Sequence, residues 1–349
     1  MSNCLSQVLK NKKIIVKAPG RVDLGGGIDH RIISLICQDN DLSTFNIAIK
    51  LYTHITLESY KKNFILIDSD KVGQKEISSS NSQFNDKFGL IAAIARFFNV
   101  DGVKITIKTE FPPMSGLGGS GSLGVALISA FVLALNLNNL FSKKGIVWLA
   151  HSIEDSLFKN TGLQDQAAAC YGGINFWIWK YSKFQEIYQQ EPIVNTKIDF
   201  EKHSLVIYSG CPHYLTRKGS KIIYSFLKKD NNLDFVKKIS ENTAKFKESL
   251  LTDNIDLIID CINTEEKLRS DFLEYKIPSA ASKIITTARK NNCGVKFVGG
   301  GGGGCLWVLG QEDNLLKFKK EIYRLKTIQF LPFSIDYDGV VAKSVQVKT

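Results

Sequence analysis

Two carboxylates eleven residues apart, Glu154 and Asp165, stand between two glycine-rich segments in this chain. The first glycine segment, PPMSGLGGSGS at Pro112 to Ser122, contains Pro113, Gly116, Leu117, Gly118, Gly119, Ser120, Gly121 and Ser122. Glycines let successive backbone N–H groups turn toward an anion, and a helix beginning there adds the positive end of its dipole. Ser120 or Ser122 offers a hydroxyl to a metal ion held by the same phosphate. The alternative is a glycine-rich turn with a serine N-cap. No Gly-Lys-Ser/Thr closes the segment, so it is not a Walker A loop, and a dinucleotide loop would sit on the first strand of a βαβ unit. The second segment, Gly299 to Gly304, follows Lys296 and precedes Cys305-Leu306-Trp307-Val308. A linker would have polar flanks. Apolar flanks suit a backbone that closely approaches a ligand or another backbone.

Asp165 lies in Gly162-Leu163-Gln164-Asp165-Gln166. It reads either as a helix cap or as half of a divided pair, in which one acid binds Mg²⁺ and the other handles the proton of an attacking hydroxyl. A fourth segment, Lys17 to His30, holds Arg21, Gly25, Gly26, Gly27 and Asp29. Asp29 suits substrate hydroxyls and Arg21 suits a carboxylate or phosphate; the alternative is a structural Arg–Asp pair beside a turn.

The elements that must position these residues follow from periodicity. Ile14 to Val16 starts a strand that enters a turn at Pro19-Gly20. Phe45 to Leu57 alternates as a long strand with Phe64 to Ile67 as its neighbour, and Val103 to Ile107 is a strand leading into the first glycine segment. Helical spacing covers Phe88 to Phe98, Ser122 to Leu137, Lys144 to Phe158, Thr216 to Lys228, two runs within Phe235 to Phe272, Ala280 to Asn291 and Glu312 to Arg324. Strands are expected at Ile174 to Trp179, Ser204 to Tyr208, Val295 to Val298, Cys305 to Leu309, Phe333 to Asp336 and Val340 to Val347. Strands and helices cluster without strict βαβ alternation, which predicts an α+β fold. Weak periodicity from Tyr181 to Lys197 marks a boundary between domains at 1–195 and 196–349.

The chain has 349 residues, 44% hydrophobic and 23% charged, enough for a large core without long disorder. A net charge of +11 favours anionic partners. The lysines are scattered in pairs, as on a solvated surface, and no nucleic-acid reader motif or basic–aromatic stretch is present. Seven cysteines, an odd number with no CxxC spacing, suit reduced thiols in a cytosol and argue against a zinc site. No signal peptide is visible, and the most apolar window, Leu123 to Leu137, falls short of the roughly 20 residues that span a bilayer. The expectation is a cytoplasmic protein, a monomer or homodimer, with no membrane or nucleic-acid partner.

In this order and spacing the four segments resemble the GHMP kinase superfamily over nearly the whole chain. PPMSGLGGSGSL is similar to the family's ATP-phosphate loop, KFVGGGGGGC to its C-terminal glycine motif and KAPGRVDLGGGID to its N-terminal substrate motif. Within the superfamily, RVDLGGGID resembles the D-glycero-D-manno-heptose 7-phosphate kinases and the fucokinase-like sugar-1-kinases, and GLQDQAAACYGGINF and the ending PFSIDYDGVVAKS resemble the heptose kinases. The resemblance implies a two-domain fold, an N-terminal S5-like domain with mixed sheet and helices followed by a C-terminal ferredoxin-like α/β sandwich. It implies ATP on Pro113 and Gly116 to Ser122, Mg²⁺ on Ser120 and Glu154, Asp165 as the catalytic aspartate and Arg21 as its support. Asp29, Gly26, Gly27, Gln164, Gly301 and Gly302 would face a sugar or sugar phosphate. A heptose 7-phosphate needs a cation for its distal phosphate, for which Arg217 and Lys218 are candidates, with surface charge as the alternative. The chain departs from the family pattern in its loop, where two hydroxyls are lost beside Ser120, and at Ile28 and His30 around Asp29; these bear on the choice of sugar. The rival readings are a kinase of an unphosphorylated sugar such as L-fucose and a sugar- and ATP-binding sensor without turnover.

Overall fold

A single long strand organises the first half of the chain. The computed structural model describes residues 3–26, 29, 31–37, 42–80, 83–159, 161–180, 187–213 and 226–347. In chain order the elements are β1 (Asn3–Cys4), α1 (Leu5–Val8), β2 (Lys12–Gly25), α2 (Arg31–Ile36), β3 (Ser43–Ser59), β4 (Phe64–Ser69), β5 (Gly73–Ser78), α3 (Gly89–Phe97), β6 (Val100–Asp101), β7 (Val103–Thr109), α4 (Gly119–Ala134), α5 (Lys143–Phe158), α6 (Gln164–Tyr171), β8 (Ile174–Trp179) and β9 (Tyr188–Pro192). There follow α7 (Phe200–His203), β10 (Ser204–Tyr208), α8 (Asn232–Leu251), α9 (Ile255–Leu273), α10 (Ser279–Lys290), β11 (Gly294–Phe297), β12 (Cys305–Leu309), α11 (Glu312–Ile322), β13 (Gln329–Leu331) and β14 (Val341–Gln346).

The β-branched and aromatic alternation expected around Phe45 to Leu57 is realised as the 17-residue β3. Its length lets it pair with β2 along one edge and, on the other, with β7 at one end and β8 at the other. Among the described residues this sheet has eight strands, in the order β14-β2-β3-β7-β4-β5, with β8 on β3 and β9 on β8. A second, antiparallel sheet has the order β11-β12-β10-β13. Helices α4 and α6 pack on β2 and β3, with α5 behind them. Nearly every face of α4 is buried, as its apolar composition requires. A second core joins the halves: Phe45 of β3 stacks near Phe246 of α8, in one cluster with Trp307 of β12.

Three expectations are corrected. Pro19-Gly20 is a bulge within β2, not a turn: pairing with β3 continues on both sides of a register shift there. Proline has no N–H for the ladder, and a Cβ on Gly20 would stand 2.7 Å from the Leu117 carbonyl, so this pair suits a bulge that admits another backbone. Strand β4 is not the neighbour of β3; β7 inserts between them, parallel to β4. Only Ile335 of the expected strand Phe333 to Asp336 is bridged, to Ile49, because the chain turns at Asp336, whose carboxylate accepts the N–H groups of Asp338 and Gly339. The weakly periodic stretch after Tyr181 contains β9, whose pairing with β8 keeps it in the first sheet. Most of the helix expected at Thr216 to Lys228 lies outside the described residues.

Candidate active site

The first glycine segment connects β7 to α4. Met114, Gly116 and Gly118 all take positive φ, and Gly118, at φ 78° and ψ 32°, is the N-cap of α4. A glycine cap supplies no side-chain acceptor. Helix geometry then leaves the N–H groups of Gly119, Ser120 and Gly121 without an intrahelical partner, at the positive end of a 16-residue helix with no acid in its first turn. Backbone bonds from both halves of the molecule fix the loop. The Arg21 N–H donates to Leu117 O at 3.0 Å, His213 N–H to Met114 O at 2.7 Å and Cys305 N–H to Ser115 O at 2.7 Å. Pro113 is exposed at its rim, while Leu117 is buried and anchors it.

The two candidate hydroxyls separate. Ser120 is exposed and hydrogen-bonds Glu154. Ser122 is fully buried; its Oγ shares a 2.8 Å bond with Thr53 Oγ1 and donates to Gly119 O, and its N–H donates to Gly118 O. The expectation that Ser122 faces a phosphate or a metal is therefore corrected: it caps the inside of the first helical turn.

Asp165 is the second residue of α6, and the bulged strand β2 brings Arg21 to it across 144 positions. Arg21 donates from Nε at 2.8 Å and from Nη2 at 2.6 Å, both to Oδ1, so Oδ2 takes no bond from it. Its remaining nitrogen, Nη1, donates to Gly116 O at 2.5 Å and to Val298 O at 2.7 Å. One guanidinium thus joins the first glycine segment, the carboxylate and the residue before the second glycine run. Asp165 keeps 27% of its side-chain exposure. Desolvation raises its pKa from the ordinary aspartate value, Arg21 pulls the other way, and the charges of Asp29 and Asp23 add to the rise. The loop must be glycine to approach it: a Cβ on Gly121 would stand 2.5 Å from the Asp165 Cβ.

Glu154, on α5, is 6% exposed. Burial pushes its carboxyl up to about 7, against the stabilising bonds from Ser120 and from Gln166 Nε2, the latter at 2.6 Å. Two acids on neighbouring helices thus differ in character, one gripped by arginine and the other by neutral donors.

The acceptor-side candidates are mostly tied to one another. Asp29 is buried and accepts the Gln164 N–H at 2.8 Å. A Cβ on Gly162 would overlap its carboxylate, so Asp29 holds the turn that delivers Asp165. The Gln164 side chain is buried with its Oε1 unpaired. The Gly26 N–H is taken by Glu265 Oε2 at 2.9 Å. Gly301 accepts a bond from His213 Nδ1 at 2.9 Å, and Gly302, at φ 73°, is half-buried beside it. Burial lowers the His213 pKa to about 4, which leaves the ring neutral. Gly299 backs onto the phosphate loop, where a Cβ would stand 3.1 Å from Gly116 O. The two glycine segments therefore meet. Gly27 and Arg217, with Ile28, His30 and Lys218, lie outside the described residues.

Residues 85–173, which run from before α3 through the phosphate loop, Glu154 and Asp165 to the start of β8, match the family described as GHMP kinases N terminal domain. That stretch is similar to a GHMP kinase N-terminal domain. Over 311 residues it is 26% identical to the D-glycero-alpha-D-manno-heptose 7-phosphate kinase of Campylobacter jejuni, covering 85% of this chain and 89% of that one. It is 24% identical to the mevalonate kinase of Pyrococcus furiosus over 328 residues, again 85% and 89% of the two chains. The crystal structure of Lactococcus lactis galactokinase complexed with galactose has the same fold, with a TM-score of 0.76, 17% identity and coverage of 94% and 95%.

Sequence reasoning missed several groups that shape this site. Val298 contributes only a carbonyl, which no residue type announces. Glu265 and Arg269 sit on α9 in register with its buried Ile258, Ile262 and Phe272. Charged residues on the apolar face of a helix were a readable signal that something buried pairs with them.

Proposed function

We propose that the protein transfers the γ-phosphate of ATP to a hydroxyl of a sugar, with Asp165 taking or orienting the hydroxyl proton. The observation that carries this reading is the Arg21–Asp165 pair. Both guanidinium bonds converge on Oδ1, which leaves Oδ2 for a hydroxyl beside the open N-terminus of α4. The triphosphate lies on Gly116 to Gly121, where unpaired N–H groups and the helix dipole offset its charge. Arg21 keeps the Asp165 carboxylate oriented. The raised pKa of Asp165 brings it closer to neutrality, which suits a general base.

The hard oxygen donors of Ser120 and Glu154 fit Mg²⁺, and these two residues would hold it. When bound, the ion neutralises phosphate charge. Among the described residues no group of three or more His, Cys, Asp or Glu could hold a metal alone, which suits an ion carried in with the nucleotide. No described helix is long and apolar enough to cross a membrane.

For the acceptor, the Campylobacter relative and the QDQ context of Asp165 support D-glycero-D-manno-heptose 7-phosphate, phosphorylated at its anomeric hydroxyl to the 1,7-bisphosphate. The galactokinase fold relation supports an unphosphorylated sugar as the second reading. The buried, unpaired Gln164 Oε1 would accept a bond from a sugar hydroxyl. The division into units at 1–195 and 196–349 is kept as part of the proposal, with β14 returning to the first sheet.

The test is ADP release against heptose 7-phosphate, heptose, L-fucose, galactose, mevalonate and homoserine, with ³¹P and ¹³C NMR of the product. Phosphate on C1 of the heptose phosphate is the expected result. Turnover confined to mevalonate or homoserine overturns the sugar reading.

A further inference from the structure

Behind the two acceptor-side glycine segments lies a closed set of four charged side chains. Asp23, Glu265, Arg269 and Lys296 each have side chains no more than 6% exposed. Lys296 Nζ donates to Asp23 Oδ1 at 3.1 Å and to Glu265 Oε1 at 2.5 Å. Arg269 Nη1 lies 3.5 Å from Asp23 Oδ2 and 3.4 Å from Glu265 Oε1. Two cations face two anions, and mutual attraction deepens the ionisation of both kinds: Glu265 lies below its usual pKa and Arg269 above its own. A buried ion set is weak support for stability, because well-packed apolar residues of similar volume often serve as well. Its presence beside a site calls for another role.

The outward bonds of the set define that role. Glu265 Oε2 accepts the Gly26 N–H at 2.9 Å, and Arg269 Nη2 donates to Gly299 O at 2.8 Å. Glu265 and Arg269 are one turn apart on α9. A single helical turn therefore holds the glycine segment of β2 from one side and the glycine run after β11 from the other. The hold extends further. Gly299 packs on Gly116, and the preceding carbonyl, Val298 O, accepts the Arg21 bond that accompanies the grip on Asp165.

We propose that Glu265 and Arg269 are positioning residues that set the separation of the Gly26 and Gly299 segments and, through Val298 and Gly299, the pose of the Arg21–Asp165 pair. The activity part of this inference rests on the kinase reading above. Asp23 and Lys296 complete the charge balance that keeps both residues ionised in a dry site. Arginine is required at 269 because its planar fork reaches two carboxylates and a carbonyl at once. A lysine ammonium is a single compact charge, without the two separate nitrogens, Nη1 and Nη2, that here face the carboxylates and the carbonyl.

The test uses the full chain with Arg269→Lys, which keeps the buried charge, and Glu265→Gln, which approaches from the other loop. Hydrogen exchange is read in the segments 20–26, 294–304 and 114–122. Either variant should speed exchange in 20–26 and in 294–304 together, by about tenfold or more. Arg269→Lys should also raise the acceptor KM and lower kcat by about 10–100-fold, the usual range for losing an outer support, with affinity for a non-hydrolysable ATP analogue within about twofold. A purely structural role would lower Tm while leaving acceptor KM and kcat unchanged, and that outcome overturns the proposal. So does faster exchange confined to the loop next to the substituted residue. If the wild type phosphorylates no acceptor, the kinase reading fails, and the exchange arm alone decides: paired loosening supports the positioning role and unpaired loosening rejects it. A variant that does not fold leaves the other to give the same pairing or its absence.

Discussion

Replacing Glu154 by glutamine should stabilise the ligand-free protein at alkaline pH and much less at acid pH. The Glu154 carboxyl is 6% exposed, and burial raises its pKa from 4.5 to about 7. Below about pH 4.5 the group is protonated in folded and unfolded chains alike, and burial of the neutral acid carries no charge penalty. Above about pH 7 it is ionised in both, and the folded chain bears the whole cost of a buried anion. Stability associated with this group is therefore present at low pH and lost as pH rises through that window. At about 1.4 kcal/mol per pH unit, the full loss is about 3 kcal/mol, of which about 2.5 kcal/mol falls between pH 5 and pH 8. That is a large share of the roughly 5–15 kcal/mol that keeps a typical protein folded. Glutamine keeps an oxygen to accept the Gln166 bond and cannot ionise. The assay is urea denaturation of both proteins at pH 5 and pH 8, without nucleotide or metal. The quantity read is the change with pH in the difference between them, so other titrating groups cancel. The variant should gain about 2–3 kcal/mol on the wild type over that range. A gap that does not move with pH, or one that moves the other way, refutes the reasoning.

The remaining predictions concern turnover. Asp165→Asn should lower kcat by about 10²–10⁴-fold while nucleotide binding by calorimetry stays nearly intact; wild-type turnover removes Asp165 from the mechanism. Gly121→Ala should lower kcat by at least about tenfold with helix α4 retained, because alanine favours a helix but its Cβ would stand 2.5 Å from the Asp165 Cβ. Full activity in that variant would mean that Asp165 tolerates displacement. Ser120→Ala should raise the Mg²⁺ concentration needed for half-maximal rate several-fold at saturating ATP, since it removes one of two hard oxygen donors. An unchanged magnesium titration would take Ser120 out of the metal site.

The site was legible where its residues announce their backbone. Glycines at 116 and 118 mark the left-handed positions of the phosphate loop, and the long apolar run after them marks the helix whose end the loop opens. Alternation gave β3 and β7 because both carry one face into the core. What stayed hidden depends on partners distant in sequence. The insertion of β7 between β3 and β4 leaves no local trace. Ser122 and Ser120 are identical in type and differ only in which side of the helical turn meets Thr53 or Glu154. Asp29 was expected to meet sugar hydroxyls, and the sequence gives no sign that its Oδ2 also holds the Gln164 N–H, because a carboxylate accepts from several donors and its partners depend on what packs beside it. The hairpin strand β5 was missed since its GQKEIS sequence is polar and lies at an exposed edge.

Strand β14 pairs with Lys12 to Lys17 of β2, so a segment far later in the sequence completes the sheet that carries Arg21. During synthesis one edge of β2 therefore stays unpaired until Val341 to Gln346 emerge. An unpaired strand edge invites pairing with other chains. Expression of residues 1–195 alone should thus give a self-associating species, and adding a peptide of residues 339–347 in trans should return it to monomer as seen by light scattering. In the finished molecule the same pairing ties β14 to β2, so that the sheet carrying Arg21 cannot loosen at this edge without releasing β14.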